Sequence, residues 1–222
     1  MNPYVDIHTH QEVLSNKNSI SIFSFNPVKN MTFNQNVFFS AAVHPWSVQI
    51  ENIDWYMCIV RKIAKHQHCL AIGECGLDYL HQVEKSKQHE IFIRHFEISE
   101  EFQLPLIIHC VKAWNDIIVL RKKLKPSMPW IIHGFNKSIE TANQCLNAGF
   151  YLSLGKKATN NRFSQVLKTI PVDRMFLETD ETNDLISDIY STVYQTLGID
   201  YEVFAEQIYQ NFNTCFKKFR AS

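Results

Sequence analysis

Short apolar runs recur along the whole chain and alternate, from the middle onward, with longer stretches of helical periodicity. Eight runs are rich in β-branched or aromatic residues and bounded by turn signals: Val5 to His10, Ser19 to Phe25, Val37 to His44, Leu70 to Glu74, Leu106 to Cys110, Trp130 to Gly134, Phe150 to Leu154, and Met175 to Thr179. They predict strands. Patterns near period 3.6 predict helices over Asp54 to His66, Lys85 to Phe102, Asn115 to Leu124, Ser138 to Leu146, Leu185 to Leu197 and Glu202 to Phe219. Strands alternating with helices imply parallel pairing, and eight is the strand number of a TIM-type (β/α)8 barrel. The segments between Gln11 and Ser19 and between Asn26 and Asn36 are too short for crossover helices, so the first two βα units are expected to be abbreviated. A doubly wound open sheet is the competing fold. It does not readily bring the ends of strands one, four, five, six and eight together, whereas a barrel gathers every strand end on one rim.

Those five strands end on residues of one chemical kind. In Val5-Asp6-Ile7-His8-Thr9-His10 the alternation of strand side chains puts His8 and His10 on the same face. Glu74 closes Ala71-Ile72-Gly73-Glu74, His109 closes Leu106-Ile107-Ile108-His109, and His133 closes Trp130-Ile131-Ile132-His133. Asp180 follows Met175-Phe176-Leu177-Glu178-Thr179 and shares a face with Glu178 and Phe176 by alternation, whereas a slightly earlier strand end leaves it in the loop. A buried His or Asp on one strand is ordinarily a satisfied core group. Four imidazoles and two carboxylates converging on one point would leave unpaired polar groups and repelling charges unless a cation neutralised them. Six ligands exceed the need of one open catalytic site. Two divalent ions are therefore expected, roughly 3.5–4 Å apart if a carboxylate bridges them. The imidazoles suit zinc, manganese, iron or nickel better than magnesium.

Composition narrows the picture further. The 222 residues, 45% of them hydrophobic, suit a single barrel domain over 1–222. Lys+Arg 22 against Asp+Glu 22 leaves no bulk basic field for nucleic acid, although a local basic patch stays open. The start of the chain has no leader-like pattern and no run approaches the roughly 18 apolar residues of a membrane span, so a cytoplasmic protein with no membrane contact is expected. The six cysteines form no C-x-x-C pair and read as reduced, mostly buried thiols, with Cys75 and Cys110 turned toward the helix layer. His66, His68, His81, His89 and His95 lie in polar or helical stretches and are expected to be solvated.

The motifs Asp6-x-His8-x-His10, Val43-His44-Pro45, Ile72-Gly73-Glu74-Cys75-Gly76-Leu77-Asp78-Tyr79, Leu104-Pro105-Leu106-Ile107-Ile108-His109, His133-Gly134-Phe135 and Leu177-Glu178-Thr179-Asp180 occur in that order, with Asn211-Phe212 near the end. Together they resemble the TatD family of metal-dependent deoxyribonucleases in the amidohydrolase superfamily. The resemblance implies that His8, His10 and Asp180 hold one metal, that His109 and His133 hold the other, and that Glu74 bridges. It also implies hydrolysis of phosphodiester bonds in DNA, often from the 3′ end. The residues suit that chemistry independently, since two metals activate water and stabilise the leaving alkoxide while Asp180 orients the water or accepts its proton. Glu74 and Asp180 are thus the catalytic candidates. His44, Tyr79 and Lys112 are candidate substrate contacts, Tyr79 by stacking on a base, and Asp78 is placed to orient a histidine ligand.

The chain departs from the family pattern twice. Where the family usually carries an arginine two residues after the histidine, this chain has Val111, followed by Lys112, which supplies a charge without the bidentate fork. After Asp180 the segment Glu181-Thr182-Asn183-Asp184 replaces a longer loop and makes the rim more acidic. The leading expectation is a two-metal phosphodiesterase acting on DNA ends or short oligonucleotides. The alternative is a metal-dependent hydrolase of small amides, esters or lactones, and a third reading is a binding module without turnover. No obligate protein partner is readable.

Overall fold

Each apolar run becomes a strand because its side chains find cover on both faces, the barrel interior on one and the helix layer on the other. The computed structural model describes residues 2–29, 32, 34, 36–160 and 163–221. Its strands are β1 (Tyr4–Thr9), β2 (Ser19–Phe25), β3 (Phe38–Ala41), β4 (Cys69–Asp78), β5 (Leu106–Val111), β6 (Trp130–Ile132), β7 (Tyr151–Leu154) and β8 (Met175–Leu177). They pair in parallel in sequence order. The ring closes between β8 and β1 just past the strand ends, where Asp180 N–H donates to His8 O at 2.9 Å and His10 N–H to Asp180 O at 3.0 Å. The expected TIM-type barrel is therefore the fold.

Outside the barrel lie α1 (Ile53–Ile63), α2 (Lys85–Phe102), α3 (Trp114–Leu124), α4 (Ile139–Asn147), α5 (Ser164–Leu167), α6 (Ile186–Leu197) and α7 (Tyr201–Cys215). Among the described residues no helix joins β1 to β2 or β2 to β3, as the short spacings required. Helix α5 was not anticipated, since four residues are too few for a periodic signal. The last helix stops at Cys215 and a 3-10 turn, Lys217–Ala221, continues it. Several strands are shorter than their apolar runs, and β4 is longer, reaching Asp78. None of the described helices is long and apolar enough to cross a membrane.

The core between sheet and helices is aromatic: Trp130 meets Phe92 edge to face at 5.2 Å, and Phe212 stacks on Phe216 at 4.8 Å. Some buried polar groups in this layer are fully bonded, although among the described residues the Trp130 indole N–H is buried without a partner. The Asn211 amide donates to Val172 O at 2.7 Å and Met175 O at 2.9 Å, which fixes the start of β8. His95 corrects the expectation of solvated histidines. It is fully buried on α2, where its Nδ1 meets Ile91 O at 2.8 Å and its Nε2 accepts the Val43 N–H at 3.0 Å. Helical periodicity put His95 on the inward face with Phe92 and Ile98, and its polarity was no bar because both nitrogens found partners. His66, His68 and His89 are half-buried, and His81 is exposed. Five of the cysteines are buried and Cys58 is exposed, all unpaired with one another.

Candidate metal centre

Glu74 stands at the middle of the rim because two glycines let β4 press against β5. A Cβ on Gly73 would lie 2.6 Å from Ile107 Cβ, and one on Gly76, whose φ is +151°, would lie 1.9 Å from His109 O. Only glycine permits that approach. The β4–β5 register slips between Ile72 and Cys75, the kind of irregularity that re-aims a side chain beside a site. On the far side, the buried Asp6 carboxylate accepts Thr179 Oγ1 at 2.6 Å and Thr179 N–H at 3.1 Å, which clamps the end of β8 to β1. Burial pushes the Asp6 pKa up to about 7, against the lowering effect of those Thr179 bonds.

The two oxygens of Glu74 face different partners. Oε2 lies 3.5 Å from His8 Nε2 and 3.7 Å from His10 Nε2. Oε1 lies 2.7 Å from His109 Nδ1, 2.9 Å from His133 Nε2 and 3.2 Å from His44 Nε2. Asp180 completes the first group, its Oδ1 standing 3.6 Å from Nε2 of both His8 and His10. All six sequence-derived candidates are thus brought together. Asp180 holds its place with φ +55°, a left-handed conformation that aspartate tolerates better than most residues.

Two observations bear on whether these atoms suit a cation. His8 is fully buried, yet neither ring nitrogen has a hydrogen-bond partner. Its 3.5 and 3.6 Å approaches to carboxylate oxygens are long for hydrogen bonds. Two ligands bound at ~2.0–2.1 Å to one ion at tetrahedral angles stand about 3.4 Å apart, so the spacing suits atoms sharing an ion. Ligand atoms of His8, His10 and Asp180 lie within 4.8 Å of one another, as do those of His8, Glu74 and His133, and those of His44, Glu74 and His109.

Charge follows the geometry. Burial alone would raise the Glu74 carboxyl, but the His133 imidazole and hydrogen bonds to His109, His133 and His44 outweigh it and hold Glu74 well below the usual range. Burial lowers His44, against the pull of Glu74. Its Nδ1 accepts the Trp46 N–H at 3.3 Å, so a neutral His44 carries its proton on Nε2 and donates to Glu74.

A second set of residues orients the first. Asp78 Oδ2 lies 3.2 Å from His109 Nε2 and accepts Trp46 Nε1–H at 2.7 Å, and Asp78 itself is pinned by Gln88, which accepts its N–H at 2.7 Å. Glu178, fully buried, accepts Gly134 N–H at 2.6 Å and stands 3.5 Å from His133 Nδ1. The sequence reading put Glu178 on the Asp180 face without giving it a role; strand alternation was the available signal. Trp46 was missed, because a tryptophan after a His-Pro turn reads as packing.

The three candidate substrate contacts separate. His44 lines the central cavity. Tyr79 does not: its hydroxyl contacts His89 at 2.6 Å and donates to Asp116, and Lys85 Nζ sits 4.2 Å over its ring. The anticipated stacking residue is turned into the α2–α3 surface, because β4 runs four residues beyond Glu74 before releasing the chain. Lys112 is exposed and outside the cavity lining, and Lys137 feels its charge together with that of Lys157. Burial first, then the charges of Lys157 and Lys112, lower the Lys137 pKa. The cavity itself, about 200 Å³, is lined by His10, Lys29, His44, Trp46, Asp180 and Glu181 among others. Of the two acidic residues after Asp180, Asp184 is paired with Lys156 Nζ at 3.1 Å.

Comparison with known proteins gives a consistent grouping. The sequence model described as TatD related DNase matches residues 9–217. An Escherichia coli protein named uncharacterized metal-dependent hydrolase YcfH is 34% identical over 150 residues, 65% of this chain and 56% of its own length. The deoxyribonuclease Tat-D of Schizosaccharomyces pombe is 33% identical over 116 residues, 50% of this chain and 37% of its own. The chain thus spans about half the length, or less, of these curated relatives. Among solved structures, YJJV, a TatD homologue from Escherichia coli, superposes with a TM-score of 0.82 at 16% identity, covering 96% of this chain and 98% of that one. A hydrolase TatD family protein from Entamoeba histolytica gives 0.76 at 19% identity, covering 97% and 98%. Those two likenesses concern the fold.

Proposed function

The chain belongs to the TatD-related DNase family, and we propose that it is a divalent-metal-dependent phosphodiesterase that cleaves nucleotides from DNA ends or short oligonucleotides. The observation that carries this reading is the division of Glu74, one oxygen toward His8 and His10 and the other toward His109 and His133. A bridging carboxylate requires that division. In this assignment His8, His10 and Asp180 hold one ion and His109 and His133 the other. Zinc, manganese, iron or nickel suits the imidazoles better than magnesium. Two bound cations supply positive charge for the scissile phosphoryl oxygens and the departing oxygen. Asp180, with 38% of its side chain exposed toward the cavity, accepts the proton of the attacking water. Asp78 and Glu178 fix the rings of His109 and His133, and His44 orients Glu74 through its Nε2 proton.

A polyanionic substrate is supported by Lys137 together with Lys112 and Lys157, whose charges it feels; the three supply locally the positive field that the balanced composition lacks. Pairing of Asp184 with Lys156 removes part of the acidity after Asp180. We place the protein in the cytoplasm, where its thiols stay reduced. The test is incubation of metal-loaded protein with end-labelled DNA beside Glu74→Ala. Metal-dependent release of nucleotides by the wild type alone is the expected result, and none from either protein rejects the reading. One feature favours a second reading, a small-molecule ester or amide hydrolase: Glu181 lines the cavity and opposes phosphate. Turnover of a phosphate-free ester that DNA fails to inhibit would select it.

A further inference from the structure

A cavity of about 200 Å³ is smaller than the roughly 300 Å³ of pockets that enclose a drug-sized ligand. A nucleotide whose phosphate reaches Glu74 must therefore lay its base over the rim. Among the described residues, the rim carries a large flat apolar surface in the right place. Trp46 lines the cavity, is 47% exposed, and stacks in parallel with the exposed His81 ring at 5.3 Å and 12°. Its position is fixed from below by the Nε1–H bond to Asp78 Oδ2 at 2.7 Å, the same oxygen that faces His109 Nε2. Lys29 Nζ stands over the ring, 5.9 Å from its centre, and lines the cavity as well, so a cation faces the π surface at a distance that a base edge or phosphate could share. An exposed tryptophan held rigidly at the mouth of a site costs apolar burial and gains nothing for the core.

We propose that Trp46 is a nucleobase platform: the terminal base of a single-stranded or frayed end stacks on its exposed indole, extending the Trp46–His81 pair, while the adjoining phosphodiester descends to Glu74. Stacking is indifferent to base identity because every base presents a π face, so the platform selects unpaired nucleic-acid ends rather than a sequence. It also disfavours small esters without an aromatic group. The inference rests on the phosphodiesterase reading and narrows it to a substrate with an accessible base.

The experiment compares wild type, Trp46→Ala and Trp46→Phe by fluorescence anisotropy, binding a labelled single-stranded tetranucleotide in chelator, and by steady-state kinetics on DNA with metal. A second tetranucleotide lacks the terminal base. Trp46→Ala is expected to weaken binding and raise KM by about fivefold or more, the effect of losing one base–aromatic stack. Trp46→Phe restores most of both, and all three proteins bind the abasic oligonucleotide alike. Equal losses in Ala and Phe overturn the proposal, since they would mean that the residue acts only through its N–H bond to Asp78. An unchanged affinity in Trp46→Ala, or no measurable binding by wild type, overturns it too. Base-dependent binding without hydrolysis would sink the phosphodiesterase reading and leave the platform standing; hydrolysis with an unaltered Trp46→Ala would do the reverse.

Discussion

Two histidines in this barrel are completely buried and could hardly differ more. His95, in the layer between barrel and helices, has a partner for each ring nitrogen, Ile91 O at 2.8 Å and Val43 N–H at 3.0 Å. His8, at the mouth, has none, and its Nε2 faces carboxylate oxygens at 3.5 and 3.6 Å. Burial of an imidazole therefore separates nothing by itself. In the shell both nitrogens of the buried imidazole are satisfied, whereas the mouth keeps donor atoms aimed at one another across a gap that a cation would fill. Asn211 and Gln88 follow the pattern of His95, and His10 and Asp180 that of His8.

The largest effect expected from this contrast belongs to Glu74→Ala. Hydrolysis should fall by roughly 10³-fold or more, as when several kcal/mol of metal-derived stabilisation is withdrawn. Elemental analysis should find less than one ion per chain, with the far-ultraviolet circular dichroism of the barrel retained. A variant that kept its metal and activity would erase the distinction drawn for the mouth. Next in size is Asp78→Asn. The Asp78 carboxylate is held below its usual pKa because bonds from Trp46, Leu80 and His109 outweigh its burial. An amide cannot accept from all of them, so metal affinity should drop about 10–100-fold by competition against a chelating dye. An unchanged affinity would mean that His109 needs no orienting partner.

The mouth was more legible in the sequence than the shell, for a physical reason. Strand alternation is a rigid rule, so His8 and His10 could be placed on one face before any coordinates, whereas Asp180 lies past the end of β8 in a left-handed conformation that alternation does not describe. The barrel topology did the rest by bringing strand ends to a single ring. What stayed hidden depended on where strands stop. Because β4 runs on to Asp78, Tyr79 leaves toward Asp116, and Trp46 takes the place at the rim that Tyr79 was expected to hold. Side chains on helices gave less warning. His95 shares the inward face of α2 with Phe92 and Ile98 while His89 does not, but only the packing of α2 against the segment after β3 shows that both nitrogens of His95 find partners.

That packing supplies the third prediction, on the shell side. His95→Leu leaves the Val43 N–H without its acceptor in a buried setting, which should lower stability by about 1–3 kcal/mol at pH 7 in urea unfolding. Metal content should not change, because His95 touches none of the donor atoms at the mouth. Loss of metal with His95→Leu would show that the two regions are energetically one.

The smallest effect is a slope, and its sign discriminates. Burial, with a minor contribution from Arg94 and against the Ile91 bond, depresses the His95 pKa from 6.5 to about 4. Above pH 6.5 neither folded nor unfolded chain carries the proton, and the stabilisation is complete. Between pH 6.5 and about 4 the unfolded chain takes up a proton that the folded chain refuses, so His95 draws stability down as pH falls. The limiting slope is about 1.4 kcal/mol per pH unit. His95→Leu has no such group, and the other titrations are common to both proteins. The deficit of the variant at pH 7 should therefore shrink on acidification, and the two unfolding curves should converge and then cross before pH 4. Parallel curves over that range would mean that His95 is already protonated in the folded barrel. Its Nε2 could then no longer accept the Val43 N–H, and a partner for each ring nitrogen would not be what separates it from His8.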